Sequence, residues 1–245
     1  MCNLETLNRK ARRMGRLIGK ASFFVPGPPA EIGQASSSLL GFVAKYAIGN
    51  IFDLGGGKGA YSLELKKRGF DVTLGEIDPV ALKSARDNGL TVVDTTATSL
   101  EQLQGKFDTV LLLEVLEHVE DFEAFLASAF ACARRRLLLT VPCNDDFDEL
   151  FRLGLSYNHI AVTDHINHFT SATLSTALEK LSVRFYIEKG DFIFSHAFVN
   201  LVIRKIRGSF LGWLVSWALR VYCRVGSLPQ LFPSRLFVVV WKDPS

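Results

Sequence analysis

The feature that most constrains this chain is Asp53-Leu54-Gly55-Gly56-Gly57-Lys58-Gly59. A short apolar run, Ile51–Leu54, turns through glycines and opens a helix. Glycine reaches backbone conformations closed to other residues and lets a ligand approach the main chain. The helix that follows offers free N–H groups in its first turn. Such a unit belongs in an open α/β sheet, where ligands sit at the carboxyl ends of strands near the switch point. Dinucleotide sites use similar turns, so the neighbouring residues decide. Asp53 can accept a hydrogen bond from an ammonium or hydroxyl but repels a pyrophosphate. Gly55, Gly57 and Gly59 read G-x-G-x-G, without the third glycine of the dinucleotide pattern, and no Gly-Lys-Ser/Thr ending marks a P-loop. The next strand ends in Glu76-Ile77-Asp78-Pro79. One carboxylate there can hold both hydroxyls of a ribose. Glu76 is the first choice. Asp78 is the second, or else it is the N-cap of the helix that Pro79 begins.

From the turn onward the chain alternates. Strand-like runs at Ile51–Leu54, Asp71–Gly75, Thr91–Val93, Phe107–Leu113 and Arg135–Val141 are separated by helical runs at about 60–68, 79–88, 99–104 and 118–132. This rhythm predicts an α/β fold with a mostly parallel sheet covered on both faces. Val110-Leu111-Leu112-Leu113 and Leu137-Leu138-Leu139 are continuously apolar, as central strands buried on two sides require. A helix is expected over 34–48. After residue 142 come a polar insert with several histidines (144–170), a helix (171–181), a strand (183–188), an apolar helical stretch (192–224) and a last strand, Leu236–Trp241.

Together, Asp53–Gly59, Val72–Pro79, Phe107-Asp108-Thr109-Val110 and Glu114-Val115-Leu116-Glu117-His118 resemble the class I S-adenosylmethionine-dependent methyltransferases over about residues 45–190. The resemblance implies a Rossmann-like seven-stranded sheet with helices on both faces and an antiparallel last strand, here Leu236–Trp241. It implies S-adenosylmethionine as cofactor, with Asp53 near the methionine ammonium, Gly55 and Gly57 lining the cofactor, and Glu76 holding the ribose. Glu114 adjoins the cofactor as well. The family carries Asp-Ala at its adenine contact. Thr96-Ala97 stands there in this chain, and a hydroxyl bonds an exocyclic amine less strongly than a carboxylate does.

Glu114, Glu117 and His118 follow the fourth strand at spacings of three and four, which put them on one face if the turn is helical. Carboxylate and imidazole together suit Mg²⁺, Mn²⁺ or Zn²⁺, or a general base. The run is similar to that of ubiquinone-biosynthesis O-methyltransferases and of small-RNA 3′-terminal 2′-O-methyltransferases. In both, Glu-x-x-Glu-His is joined by a later His just before an aromatic residue. In Asp164-His165-Ile166-Asn167-His168-Phe169-Thr170 the later His corresponds to His165, with His168 second. The resemblance implies Glu117, His118 and His165 as catalytic residues and, with Glu114, as ligands of a divalent metal. Three readings stay open: a metal site, a metal-free base, and a structural role in which Glu117 and His118 cap the helix. Cys143 reads as a core thiol rather than a nucleophile. Asn144, Asp145 and Asp146 read as loop solvation, and His159 and His196 as lone histidines.

The remaining features bear on partners. A net charge of +3 does not by itself imply a nucleic-acid binder, but residues 1–30 hold six Lys/Arg against Glu5. Apolar Leu4, Leu7, Ala11, Met14 and Ile18 recur there at helical spacing. A basic N-terminal helix and the linker Val25-Pro26-Gly27-Pro28-Pro29 are expected ahead of a methyltransferase domain over 31–245. Four cysteines without C-x-x-C spacing suggest reduced thiols and a cytoplasmic protein. No run reaches the roughly 18 apolar residues of a membrane span. Phe192–Ile203 and Phe210–Leu219 read as buried lid helices, although Trp213 and Trp217 among arginines also suit peripheral contact with a membrane. The expected acceptor is a small or lipid-like hydroxylated molecule. RNA ribose is the alternative, with the modest charge and the lack of an RNA-binding module against it. A non-catalytic binding protein of the same fold is the third reading.

Overall fold

The computed structural model describes residues 35–152, 158–192, 208, 210–225 and 232–242. The expected basic helix, the Pro-rich linker, His196 and most of the stretch 192–209 lie outside them. The described elements are α1 (Ser37–Tyr46), β1 (Ile51–Leu54), α2 (Ala60–Lys67), β2 (Val72–Glu76), α3 (Pro79–Asp87), β3 (Thr91–Asp94), β4 (Phe107–Leu113), α4 (Phe122–Cys132), β5 (Ala133–Pro142), α5 (Phe147–Arg152), α6 (Ser171–Glu179), β6 (Arg184–Phe192), α7 (Phe210–Val225) and β7 (Pro233–Trp241). Short 3-10 turns stand at Leu100–Leu103, Leu116–His118 and Asn158–Ala161.

The strands form one seven-stranded sheet in the order β3-β2-β1-β4-β5-β7-β6. β1 pairs in parallel with β2 and β4, and the order reverses between them, which makes the switch point. β7 runs antiparallel to both β5 and β6, as the resemblance implied. β4 and β5 lie in the middle, and Val110, Leu111, Leu112, Leu137, Leu138 and Leu139 are fully buried. Alternate residues feed two apolar layers. Leu112, Leu137 and Leu139 pack with α4 and α6 on one face. Leu111, Leu113 and Leu138 pack with Leu39 and Val43 of α1 and Leu65 of α2 on the other. A sheet buried on both sides explains why these strands lack apolar–polar alternation.

Two expectations change. The run at 99–104 is only a 3-10 turn, and α4 starts at Phe122 rather than 118 because Asp121 caps it by accepting the Ala124 N–H. α7 is not a buried lid helix: Phe210, Leu211, Trp213 and Trp217 are all more than half exposed. No described helix is long and apolar enough to cross a membrane.

Candidate functional site

The glycine turn joins β1 to α2 at the carboxyl edge of the sheet. The Gly55 and Gly56 N–H groups donate to the Gly75 carbonyl at 2.7 and 3.3 Å, which ties the turn to β2. Gly55 has φ +79, and a Cβ there would stand 2.8 Å from Val115 Cγ2. Its lack of a side chain therefore lets the turn pack directly against the segment after β4. Asp53 is buried inside the turn and accepts the Ser62 hydroxyl at 2.6 Å. Burial pushes its carboxyl up to about 6, against the Ser62 bond and with help from Glu76. Glu76 accepts three main-chain N–H groups, from Gly57 at 2.9 Å, Ile77 at 2.7 Å and Asp78 at 3.1 Å. Its carboxylate is thus fixed beside the glycines. Asp78 takes the other role foreseen for it and caps α3 by accepting the Val80 N–H at 2.9 Å, with Pro79 as the first helical residue.

Thr96 and Ala97 follow β3. The Thr96 hydroxyl donates to Asp94 Oδ1 at 2.6 Å, and the Thr96 and Ala97 N–H groups approach the same oxygen at 2.9 and 3.4 Å. These bonds, the Thr96 hydroxyl first, hold the Asp94 carboxyl below its ordinary range. An acid therefore stands at the end of β3, two residues before the threonine that the sequence reading singled out. Its signal was its place at a strand's carboxyl end.

The segment after β4 supplies the second half of the site. Glu114 has φ +58, a left-handed conformation that costs a non-glycine residue about 1–3 kcal/mol. The following turn is helical only over Leu116–His118. Glu114 is thereby set apart from Glu117 and His118 instead of sharing a helical face with them. Its carboxylate meets Arg235, at 3.1 Å to Nε and 3.4 Å to Nη2. Arg235 also pairs with Asp191, which accepts the Ser38 hydroxyl of α1 at 3.0 Å. Burial opposes the arginine's charge, but Glu114 and Asp191 overcome it and raise its pKa. Arg235 and Asp191 were not legible as site residues, because the β5–β7 pairing brings Arg235 to Glu114 and the β6–β7 pairing brings Asp191 to Arg235.

Glu117, His118 and His165 each present one donor atom, all within 4.8 Å of one another. Glu114, foreseen as a fourth ligand, is not in this group. Glu117 is 1% exposed, and among the described residues neither carboxylate oxygen has a hydrogen-bond partner from another residue. Burial and then the nearby Glu114 charge raise its pKa well above the ordinary carboxylate value. His118 Nδ1 lies 3.1 Å from the Asp164 carbonyl and 3.4 Å from its carboxylate. The His118 and His165 rings meet edge to face at 4.7 Å. Burial, and then His118, lower the His165 pKa, which favours the neutral imidazole.

The insert reaches this site through the main chain. Ile166 and Asn167 N–H both donate to the Glu117 carbonyl, at 2.8 and 3.0 Å. The Asn167 amide donates to the Leu116 and Val119 carbonyls at 3.2 and 2.7 Å. His168 is buried outside the three-residue group. His159, read as a lone histidine, stands 6.4 Å from the His165 ring, and its Nε2 is 3.0 Å from Asn144 Oδ1. Burial, then His165, put its pKa well below the usual value. Asn144 and Asp145 are not loop solvation. Asn144 is buried and donates to the Phe169 carbonyl at 3.1 Å, and Asp145 pairs with Lys189 at 2.5 Å and accepts the Ser171 N–H and hydroxyl. Cys143 is a core thiol, fully buried and pushed up to about 12 by burial and then by Asp145.

A family model described as a methyltransferase domain matches residues 10–181. Ubiquinone biosynthesis O-methyltransferases of Xanthomonas oryzae pv. oryzae are 37% identical over 91 residues. That stretch covers 34% of this chain and 37% of theirs, so the match spans little more than a third of those relatives. A SAM-dependent methyltransferase from Archaeoglobus fulgidus superposes with a TM-score of 0.53 at 16% identity, covering 84% of this chain and 93% of its own. The magnesium protoporphyrin IX methyltransferase of Synechocystis PCC 6803 with bound SAH gives 0.52 at 18% identity, covering 96% and 87%. At these identities the two structures share the fold with this chain.

Proposed function

The chain belongs to the methyltransferase-domain family, and on that premise we propose that it uses S-adenosylmethionine to methylate a hydroxyl of a small, apolar-bodied acceptor held beside Glu117, His118 and His165. The carrying observation is the Glu117 carboxylate, buried, with both oxygens unpartnered by any other described residue and beside two imidazoles. A buried polar group left without a partner is costly and calls for an explanation in function. The O-methyltransferase name of the curated relatives supports an oxygen acceptor.

In this reading the glycine turn and Glu76 hold the nucleoside and Asp53 takes the methionine ammonium. The cofactor supplies a methyl group on a sulfonium. Transfer forms the acceptor's O–CH₃ bond and breaks the S–CH₃ bond, and the hydroxyl proton goes to the Glu117 carboxylate or to the neutral His165 imidazole. A carboxylate of raised pKa is a stronger base than an ordinary one. The His118–Asp164 contact orients one imidazole, and Asn167 fixes the insert that carries the other. Most of the remaining barrier falls through placement of oxygen in line with the methyl carbon.

The same three side chains fit a divalent cation. Bonds of about 2.0–2.2 Å place ligand atoms roughly 3–4.4 Å apart around one ion, and the donors here lie within 4.8 Å of one another. Such an ion would lower the pKa of a hydroxyl bound to it. Glu117, His118 and His165 would hold it, and Glu114 would stay with Arg235. Methyl transfer from labelled S-adenosylmethionine to hydroxylated aromatic acceptors, with EDTA-treated protein and added Mg²⁺, Mn²⁺ or Zn²⁺, tests both parts. Glu117→Gln is expected to abolish transfer while cofactor binding persists. Full turnover in chelator would remove the cation, and full turnover by Glu117→Gln would remove the reading itself.

A further inference from the structure

We infer that α7 docks this protein on an anionic lipid surface, laying its Phe210, Trp213 and Trp217 face into the headgroup region. The inference is independent of the acceptor's identity. In α7 the small residues Gly212 and Ser216 face the protein, with the Ser216 hydroxyl folded back onto the Gly212 carbonyl at 2.6 Å. The large residues face outward: Phe210 is 77% exposed, Leu211 70%, Trp213 57% and Trp217 59%. Leu214, Val215 and Val221 are exposed as well. At 100° per residue these outward positions cover about 200° of the helix circumference. An ordinary surface helix turns its large apolar residues toward the core, and this one turns them away. Contiguous exposed apolar surface of this kind marks a docking site.

Charge selects the occupant. Residues 192–242 contain seven Lys/Arg and no Asp or Glu, six of the seven besides the Arg235 that Glu114 and Asp191 neutralise, whereas residues 35–191 contain 15 Lys/Arg against 22 Asp/Glu. An anionic bilayer therefore attracts the segment that carries α7 and repels the rest of the domain. That difference sets an orientation as well as an affinity. The basic residues 1–30 have the same sign as 192–242, so electrostatics does not draw them onto this helix. Sixteen residues make a helix about 24 Å long. That is shorter than a hydrocarbon core of about 30 Å, and it suits a helix lying in the interface plane, where tryptophan is favoured.

The test is sedimentation of the full chain with phosphatidylcholine vesicles and with vesicles containing added phosphatidylglycerol. Binding is expected to the anionic vesicles, with a blue shift of tryptophan emission and quenching by brominated acyl chains. Replacing Phe210→Ser, Trp213→Ser and Trp217→Ser together is expected to weaken vesicle binding at least about tenfold, with cofactor binding and thermal unfolding unchanged. Equal vesicle binding by the triple variant would overturn the inference and move the contact to residues 1–30. So would failure of the wild type to bind anionic vesicles, or a wild-type dimer that the substitutions convert to monomer. If the triple variant does not fold, emission of the intact protein that brominated lipid leaves unquenched overturns it as well.

Discussion

Asp53→Asn separates the electrostatic role of the glycine turn from its shape. The wild-type carboxyl is fully buried and its pKa stands near 6 against an ordinary 3.8. The folded protein thus binds this proton more tightly than the unfolded chain does. The resulting stabilisation is complete below about pH 4 and disappears as pH rises through about 6. Two pKa units correspond to about 3 kcal/mol, which the ligand-free wild type forgoes at neutral pH. Asparagine removes the ionisation and can still accept the Ser62 hydroxyl. The variant should therefore gain up to about 3 kcal/mol on the wild type between pH 4 and pH 7, a melting-temperature difference of about 6–12 °C for a domain of this size. Cofactor binding should move the other way. If the methionine ammonium meets Asp53, the wild type must ionise that group to bind, and its affinity should fall by up to about tenfold per pH unit below 6. The variant should bind weakly and show no such slope. Calorimetric titration with S-adenosylmethionine and thermal unfolding of both proteins across this range read the two effects. Parallel pH profiles for the two proteins, in stability or in affinity, would refute the argument.

Two further substitutions probe the rest of the site. Arg235→Ala leaves Glu114 and Asp191 without their shared cation and should cost about 3 kcal/mol of stability by denaturant unfolding at neutral pH; an unchanged midpoint would show that water replaces the arginine. Asn167→Ala removes the amide's bonds to the Leu116 and Val119 carbonyls and should cost about 1–3 kcal/mol. It should also lower kcat more than it alters cofactor affinity, because it loosens the insert and leaves the glycine turn intact.

The central strands were legible because burial on two sides writes itself as an uninterrupted apolar run, and Leu137-Leu138-Leu139 can hardly be read otherwise. The glycine turn was legible because few residues other than glycine satisfy its backbone. The Glu114–Arg235–Asp191 cluster was not legible, since its members are far apart in sequence and meet only through the β5–β7–β6 order. His159 looked solitary because the path of the insert, which no spacing rule gives, folds it back onto Asn144 and His165. The helical-face argument for Glu114, Glu117 and His118 failed at one residue, whose left-handed φ no spacing rule reveals. The exposed side of α7 was misread because amphipathic spacing gives the apolar arc of a helix but not the direction in which it faces.

The place of β7 in the sheet has a consequence during synthesis. β7 fills an interior slot between β5 and β6, pairing Pro142 with Arg235 and Arg136 with Trp241. Until it emerges from the ribosome, the growing chain carries β5 as an open edge, with Leu137, Leu138 and Leu139 on a strand whose hydrogen-bonding groups are unpaired on one side. β6 meanwhile has no neighbour at all, since β7 is its partner in the sheet. Open apolar edges recruit strands from other chains. For the interval between the fifth strand and the seventh, then, the nascent protein depends on chaperones or on speed to keep that slot vacant for its own segment.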